Sequence, residues 1–398
     1  MKPVTEFPIT SADAFHLEVP FDHIGCLLIL ERHLAPEAVQ AFAYDLVKST
    51  PRLRASLDVE RGAWRTREGF RVEDQLIIAS PSSGGEAAIL DAFANYYVTP
   101  LLESTPPWRM VHLPFVRRDG ATRSALGFLV HHAFADGVRA FQMLRTAGAE
   151  RPRDADRRHP AEARIDAGGW VRTLAASAGE LVGRRATALP KGLDQGRRVF
   201  DTADIGNDML RRAQHRLGIS RTDILSHAFA AALCAHTGWR DQVRLMIPRD
   251  LGRASGTGGN RFIPLIKSFR CGAEPRATAE RLGREGLAGL AAVNLFRLGV
   301  VRRLPRPLAR FGYHRWADRF DALCTILPHG LDGLRFAGAA VERVLGVPPL
   351  IWRQPIAAAF VTGRGGADLL LAWDPTRTDA SRLAEEVRAR VVALAGCF

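Results

Sequence analysis

An apolar run that ends in a dense polar turn constrains the fold of this 398-residue chain more than any other segment. Residues 125–130 (ALGFLV) have the continuous apolar character of a buried strand, whereas residues 138–147 carry apolar side chains at helical spacing. The heptad between them, HHAFADG at residues 131–137, is therefore predicted to form a strand-to-helix turn. Its two histidines, its carboxylate and its glycine would then lie together at one edge of a sheet.

Strand and helix signals on both sides of this turn predict a mixed α/β chain. The turn signal Asp119-Gly120 predicts that a strand at residues 108–115 pairs with residues 125–130 as an antiparallel hairpin. A strand at 25–31 and a helix begun by Pro36 precede this hairpin. Four strands are predicted beyond residue 200, together with helices at 208–218, from Ser220 and at 381–394. These strands span residues 243–248, 261–269, 356–362 and 368–373.

Length and composition indicate a globular protein of more than one domain. A hydrophobic content of 47% over 398 residues is sufficient for a substantial core, and the length favours two or three domains. Residues 151–165 are charged and contain prolines, as is typical of an exposed connection. We therefore predict an N-terminal lobe at residues 1–165, a connecting helix and linker at 166–200, and a C-terminal lobe at 201–398.

The N-terminal segment and the cysteines suggest a cellular compartment. The first residues lack the apolar core of a signal peptide, and no run of about 18 uncharged apolar residues occurs, so a soluble cytoplasmic protein is expected. The cysteines are odd in number, widely spaced and without a Cys-x-x-Cys pair. We expect reduced thiols rather than a disulfide framework or a zinc cluster. They stand at positions 26, 234, 271, 324 and 397.

The heptad resembles the His-His-x-x-x-Asp-Gly signature of the chloramphenicol-acetyltransferase-like acyltransferase superfamily. This superfamily includes condensation domains of peptide synthetases and the wax ester synthase/diacylglycerol acyltransferases. Other segments are similar to family motifs in the same order along the chain. They are Ser11 to Glu18, Leu53-Arg54, Pro107 to Arg109, Ile247 to Asp250, Gly259-Asn260 and Pro328 to Ala337. The resemblance implies two chloramphenicol-acetyltransferase-like lobes, each a mainly antiparallel mixed sheet with flanking helices, and a tunnel between the lobes.

The chain also departs from the family pattern. Ile326 stands where the later motif has an asparagine, and Pro51 and Arg52 replace the His-Glu pair before Leu53-Arg54. The Asp-Phe-Gly-Trp-Gly motif of the plant alcohol acyltransferases is absent from the sequence. The substrate can therefore not be transferred from any one branch of the superfamily.

The resemblance nominates His132 as the general base that removes the proton of an attacking alcohol or amine. A neutral imidazole can accept a proton at neutral pH. Alternation along the strand points His131 to the opposite side, which favours a structural role for it. The same alternation disfavours a metal site built from both histidines and Asp136, and no metal is expected.

The remaining candidate residues each have two interpretations. Asp136 is expected to cap the following helix, to form a salt bridge with Arg54 or Arg249, or to do both. Gly137 allows close approach of the backbone to a substrate, with its N–H group near a developing oxyanion, or is an ordinary turn glycine. Asn260 orients the acceptor or lines the tunnel wall, or simply forms a turn.

The net charge of the chain indicates which classes of partner it attracts. A formal net charge of +13 favours phosphates and acidic partners, such as coenzyme A or an acyl carrier protein. The basic residues are spread along the whole chain without interleaved aromatics, so no nucleic acid partner is expected. The glycine-rich turn at 252–259 is not followed by Gly-Lys-Ser/Thr and is not a phosphate loop. The basic, apolar stretch 282–316 predicts amphipathic helices, and a peripheral membrane or lipid contact remains open.

The resemblance implies an acyltransferase that moves an acyl group from a coenzyme A or carrier-protein thioester to an alcohol or amine. No tightly bound cofactor is expected, because the acyl-CoA or phosphopantetheinyl thioester is itself a substrate. The alternative is a catalytically silent, condensation-like protein that binds a carrier protein or a lipid. The acyl chain, the acceptor and the choice between an ester and an amide product stay open.

Overall fold

The computed structural model describes most of the chain outside residues 149–195. The described residues are 5–17, 22–101, 106–117, 119–148, 189, 196–238, 241–250, 262–279, 305–328, 333–350 and 354–396. The helices within these described residues are α1 (Ser11–His16), α2 (Pro36–Ser49), α3 (Gly85–Tyr97), α4 (Gly137–Gly148), α5 (Asn207–Leu217), α6 (Arg221–Thr237), α7 (Pro275–Thr278), α8 (Arg306–Ala317) and α9 (Leu383–Ala395).

The first large sheet contains the predicted hairpin. Its strand order is β5-β6-β7-β2-β13-β12, and its pairings are antiparallel except for the parallel pair β5 and β6. The hairpin of β6 and β7 carries the heptad at its end, as predicted. The strands are β2 (His23–Leu30), β5 (Leu76–Ile78), β6 (Trp108–Val116), β7 (Thr122–His131), β12 (Arg335–Phe336) and β13 (Ala339–Val347).

The second large sheet contains the strands predicted beyond residue 200. Its order is β10-β9-β11-β14-β15-β8, in which β11 pairs in parallel with both β9 and β14 and the other pairings are antiparallel. Its strands are β8 (Val199–Gly206), β9 (Gln242–Asp250), β10 (Phe262–Arg270), β11 (Ala322–Pro328), β14 (Ile356–Thr362) and β15 (Gly366–Trp373). The predicted fold class, two mainly antiparallel mixed sheets with flanking helices, is confirmed. A small sheet of β1 (Glu6–Pro8), β4 (Ala63–Thr66) and β3 (Ala55–Asp58) adjoins the first lobe.

The chain returns to the first sheet beyond residue 201, where the C-terminal lobe is predicted to begin. Strand β13 pairs antiparallel with β2, so residues 339–347 belong to the first sheet although they lie far along the C-terminal half. Strand β12, which directly precedes β13 in the chain, pairs with it at the edge of the same sheet. Apolar strand residues fit either sheet equally well, so the sequence pattern alone does not assign a strand to its sheet.

Both faces of the first sheet are buried, and one of them shares a core with the second sheet. Leu126, Phe128 and Val130 of β7 pack with α2 and α4, whereas Ala125 and Leu129 point to the other face. That other face packs on α3, on α8 and on apolar side chains of the second sheet. The outer face of the second sheet is covered by α6 and α9. Among the described residues, no helix has the length and apolar character needed to cross a bilayer.

The expectation of five reduced thiols is wrong for two of them. Cys234, in the last turn of α6, and Cys271, directly after β10, form a disulfide with a Cα–Cα distance of 5.7 Å. Spacing in the sequence does not show this pair, because it depends on a helix and a strand ending side by side. Cys26 and Cys324 are free and buried, and burial raises the pKa of both thiols. Cys397 lies outside the described residues.

The disulfide between Cys234 and Cys271 should raise the free energy of unfolding. It closes a loop between residues 37 apart, and restriction of the unfolded chain by such a loop stabilises the fold by about 4 kcal/mol. Urea unfolding should therefore shift to lower denaturant when a reductant is added, and the Cys234→Ser variant should unfold at that lower concentration with or without reductant. Thiol titration of the oxidised, denatured chain should detect three of its five cysteines. Five reactive thiols would contradict the assignment.

Candidate functional site

Backbone hydrogen bonds fix the heptad to the residues that directly precede β6 and β2. The His131 N–H group donates to the carbonyl of Pro107 at 2.9 Å, and the His132 N–H group donates to the carbonyl of Asp22 at 2.8 Å. His131 lies opposite His23 in the register of β7 and β2. The Phe134 N–H group then donates to the His131 carbonyl at 2.8 Å, which closes the turn before α4. The position of His132 is thus set by the residue just before β2 as much as by its own strand.

The rings of the two motif histidines contact different neighbours, as the alternation along the strand predicts. The Nδ1 atom of His131 accepts a hydrogen bond from the Ala133 N–H group at 3.2 Å, and its ring lies 5.7 Å from the ring of His23. Burial, and then the neighbouring imidazoles, hold the pKa of His131 well below its usual value. The ring is therefore neutral at neutral pH and fastened within the turn.

The ring of His132 is stacked on a second histidine that the sequence analysis did not assign a role. The His16 and His132 rings are nearly parallel, with an interplanar angle of 6° and centroids 3.8 Å apart. The Nδ1 atom of His16 lies 2.5 Å from a carboxylate oxygen of Asp22. His16 and Asp22 are 1% and 0% exposed, whereas His132 is 9% exposed. Burial lowers the pKa of His16 to about 3, so this ring is neutral and donates its Nδ1 proton to Asp22.

Phe262, the first residue of β10, brings the second lobe to the same site. Its ring lies 5.6 Å from that of His132 and 5.7 Å from that of His16. The predicted site residue Asn260 lies outside the described residues, two positions before Phe262. The rings from α1, the heptad and β10 form one cluster where the two sheets meet.

Asp136 caps α4, as one of its two predicted roles requires. One of its carboxylate oxygens accepts the Arg139 N–H group at 2.9 Å, and the Arg139 side chain lies 4.0 Å from the other oxygen. The predicted salt bridge with Arg54 or Arg249 is absent from the described ion pairs. As the N-cap of α4, the Asp136 carboxylate faces the first turn of this helix, where Arg139 lies. Arg249 lies instead on β9, where its charge acts on the Cys324 thiol.

Arg52 stands in the segment where the family pattern has a His-Glu pair, and its side chain packs against the heptad. Its guanidinium lies 5.0 Å from the ring centroid of Phe134 and 5.6 Å from that of Phe7. Burial lowers its pKa to about 10, while Asp13 and Asp136 act in the opposite direction. Arg52 therefore keeps its charge at neutral pH and supplies positive charge beneath the motif.

Gly137 is constrained by packing rather than by its backbone conformation. A side-chain Cβ at this position would lie 3.3 Å from a methyl carbon of Leu327 on β11, in the second sheet. Its φ is not in the left-handed region where glycine is favoured. The N-terminus of α4 therefore approaches the end of β11 closely, and glycine provides the space. This contact was not among the interpretations that the sequence offered.

The described cluster has the chemistry of a proton acceptor in an apolar setting. His132 is an imidazole with a small exposed fraction, and its ring neighbours within the described part of the chain include a neutral histidine and a phenylalanine. Within the described ranges, no group of three His, Cys, Asp or Glu side chains is arranged to hold a metal ion. Sequence reasoning missed His16, Asp22 and Phe262, because their role depends on three separate segments meeting in space.

Solved structures similar to this chain include a wax ester synthase/diacylglycerol acyltransferase and condensation domains. The wax ester synthase/diacylglycerol acyltransferase from Marinobacter aquaeolei VT8 superposes with a TM-score of 0.64 at 15% identity, over 98% of this chain and 100% of that one. The first condensation domain of the calcium-dependent antibiotic synthetase, in complex with a substrate analogue, gives a TM-score of 0.62 at 18% identity, over 98% and 96% of the two chains. A starter condensation domain of rhizomide synthetase, in complex with C8-CoA and Leu-SNAC, gives 0.60 at 14% identity, over 98% and 94%.

Sequence comparison identifies the family of the chain. No curated protein matches it at a significant level. The family model of the wax ester synthase/diacylglycerol acyltransferase catalytic domain matches residues 16–225, which is just over half of the chain and includes the heptad. With the fold, the motif and this match in agreement, the chain belongs to the wax ester synthase/diacylglycerol acyltransferase catalytic domain family, within the chloramphenicol-acetyltransferase-like superfamily of acyltransferases.

Proposed function

We propose that this protein transfers an acyl group from a thioester to an alcohol or an amine, with His132 as the general base. The observation that carries the proposal is the position of the His132 ring, at the end of β7 and at the junction of the two lobes, in a chain of an acyltransferase family. Alcohols are the first choice of acceptor, because the family description names wax esters and diacylglycerol, both substrates or products of alcohol acylation.

The proposed reaction is a direct transfer without an acyl-enzyme intermediate. A ring nitrogen of His132 removes the hydroxyl proton as the acceptor oxygen attacks the thioester carbonyl. The new C–O bond forms, the C–S bond breaks, and the departing thiolate receives the proton from the imidazolium. The products are one ester and one free thiol for each turnover. An amine acceptor follows the same course and gives an amide.

The charge of the protein supports a donor that carries phosphate groups. The chain has a formal net charge of +13, and both coenzyme A and a phosphopantetheinyl carrier protein are anionic. A related starter condensation domain binds C8-CoA, which makes medium-chain acyl-CoAs the first donors to try. In this proposal the donor and the acceptor reach His132 from opposite ends of a tunnel between the lobes, and the oxyanion is held near the Gly137 N–H group.

A paired-substrate screen tests the proposed function. Acyl-CoAs and acyl carrier proteins of graded chain length are each combined with alcohols and with amines. Products are measured by mass spectrometry, and released thiol is measured in the same samples. The proposal predicts thiol and ester, or thiol and amide, in equal amounts for at least one pair. Saturable donor binding without product from any pair would instead support the catalytically silent binder.

A further inference from the structure

The described residues around His132 include a buried histidine and a buried aspartate to which the proposed reaction gives no part. We infer that His16 and Asp22 are positioning residues, which hold the plane of the His132 ring and stabilise the positive charge that forms on it. This inference rests on the proposed function, because it assigns these two residues a role through the proposed base. Neither residue needs to touch a substrate.

The first step of the argument is geometric. Parallel stacking at a centroid distance of 3.8 Å confines the His132 ring to one plane, and the Phe262 ring packs at an angle of 54° to it. The nitrogen atoms of the His132 imidazole lie at the edge of the ring, and the available lone pair points outward in the ring plane. Fixing that plane by stacking therefore restricts the direction of the lone pair. General base catalysis requires the nitrogen lone pair to be directed at the acceptor proton, so a fixed plane supports catalysis.

The second step is the fixation of His16 itself. Its Nδ1 proton is donated to Asp22 at 2.5 Å, and the backbone carbonyl of Asp22 accepts the His132 N–H group at 2.8 Å. A single residue thus anchors the stacking ring through its side chain and the base through its main chain. Asp22 directly precedes β2, whose pairing with β7 sets the register of the whole site.

The third step is electrostatic. When His132 accepts a proton, its positive charge lies against a neutral ring that is hydrogen-bonded to the Asp22 carboxylate. Both positioning residues are almost completely buried, and little solvent screens this attraction. Among the described residues, the other charged or titratable groups that act on this cluster include Asp13, on α1 with His16, and His131 and His23, which interact with each other. The Arg52 guanidinium interacts electrostatically with Asp13 and Asp136.

Two substitutions at position 16 separate the stack from the hydrogen bond. His16→Asn keeps a donor close to the position of the Nδ1 proton but removes the stacked ring. His16→Phe keeps a stacked ring but removes the donor to Asp22. We expect His16→Asn to lower kcat on the order of 100-fold, with KM changed less than about twofold, because the base loses its alignment. His16→Phe should lower kcat roughly tenfold.

Asp22→Asn tests the electrostatic part. An asparagine oxygen still accepts the His16 proton, but the negative charge is lost. The imidazolium on His132 is then less stable, so the acid limb of the pH profile of kcat/KM should move to lower pH while kcat falls roughly tenfold. A purely structural role for Asp22 would leave this limb in place. His215→Asn, at an exposed histidine of α5, is the matched control and should change neither kcat nor the pH profile.

A spectroscopic measurement tests the stack without any substrate. In NMR spectra of protein with isotope-labelled histidine, the His132 ring protons should be shifted by the ring current of His16. That shift should persist in His16→Phe and disappear in His16→Asn. Its absence from the wild-type protein would overturn the geometric step and with it the inference, even if some variants failed to fold.

The two proposals fail in different ways. If His132→Ala abolishes transfer while His16→Asn, His16→Phe and Asp22→Asn all stay within about twofold of the wild-type kcat, the positioning inference is wrong and the proposed function stands. If His132→Ala retains full transfer, the proposed function is wrong and the positioning inference falls with it.

Discussion

The His132→Ala variant should lower kcat by about 10² to 10⁴, which is the usual contribution of a positioned general base. The remaining rate would come from binding and orientation of the two substrates, which the substitution does not remove. The dissociation constant of the acyl donor, measured by calorimetry, should stay within about threefold of the wild-type value. A loss in kcat without a loss in donor affinity distinguishes a base from a binding residue.

The matched control for this variant is His215→Ala, which removes an exposed histidine of the second lobe. It should leave both kcat and donor affinity unchanged. His132→Ala should remain folded, which its thermal unfolding transition checks, because the backbone hydrogen bond from residue 132 to Asp22 is retained. Wild-type kcat in a folded His132→Ala variant would exclude His132 as the base.

The Gly25→Ala variant should destabilise the protein by about 3 kcal/mol or more, because the first sheet leaves no space for a methyl group at this position. A Cβ on residue 25 would lie 1.9 Å from the carbonyl oxygen of Phe128 on β7. This neighbour is backbone, so β2 and β7 must separate locally to relieve the clash. The same two strands hold Asp22 and His132 together, and transfer activity should therefore fall along with stability. Urea unfolding and the transfer assay on one preparation measure both effects.

Gly312→Ala is the matched glycine control. Gly312 lies within α8, and a Cβ there would meet no heavy atom within 4 Å. Replacing a helical glycine with alanine should stabilise the protein by roughly 0.5–1 kcal/mol and leave activity unchanged. Equal stability of Gly25→Ala and the wild-type protein would show that the sheet tolerates a wider strand separation at the site.

Features that depend on neighbouring residues were predictable from the sequence. The apolar run, the turn signal at Asp119-Gly120 and the helical spacing after residue 137 led to the observed β6, β7 and α4. The helix begun by Pro36 and the cap of α6 at Ser220 followed from local capping chemistry. In these segments, local propensity and tertiary structure favour the same conformation.

Features that depend on distant segments were not predictable in this way. The crossing of β13 into the first sheet and the disulfide between Cys234 and Cys271 each join segments whose separate patterns are unremarkable. The motif gave the base candidate, but its surroundings of His16, Asp22 and Phe262 come from α1, the start of β2 and the start of β10. The Asp136 ion pair was assigned to distant arginines because resemblance suggested them, whereas the helix cap favours the nearby Arg139.

The pH profile of kcat/KM tests most directly whether His132 is the base. A base acts only when unprotonated, so activity should fall as the pH is lowered through the titration of one imidazole, whose ordinary pKa is about 6.5. His16, with a pKa of about 3, and the buried His131 stay neutral through this range and add no limb of their own. We predict that His132→Gln leaves a small residual rate without this acid limb. Persistence of the wild-type limb in His132→Gln would assign the titrating base to another residue.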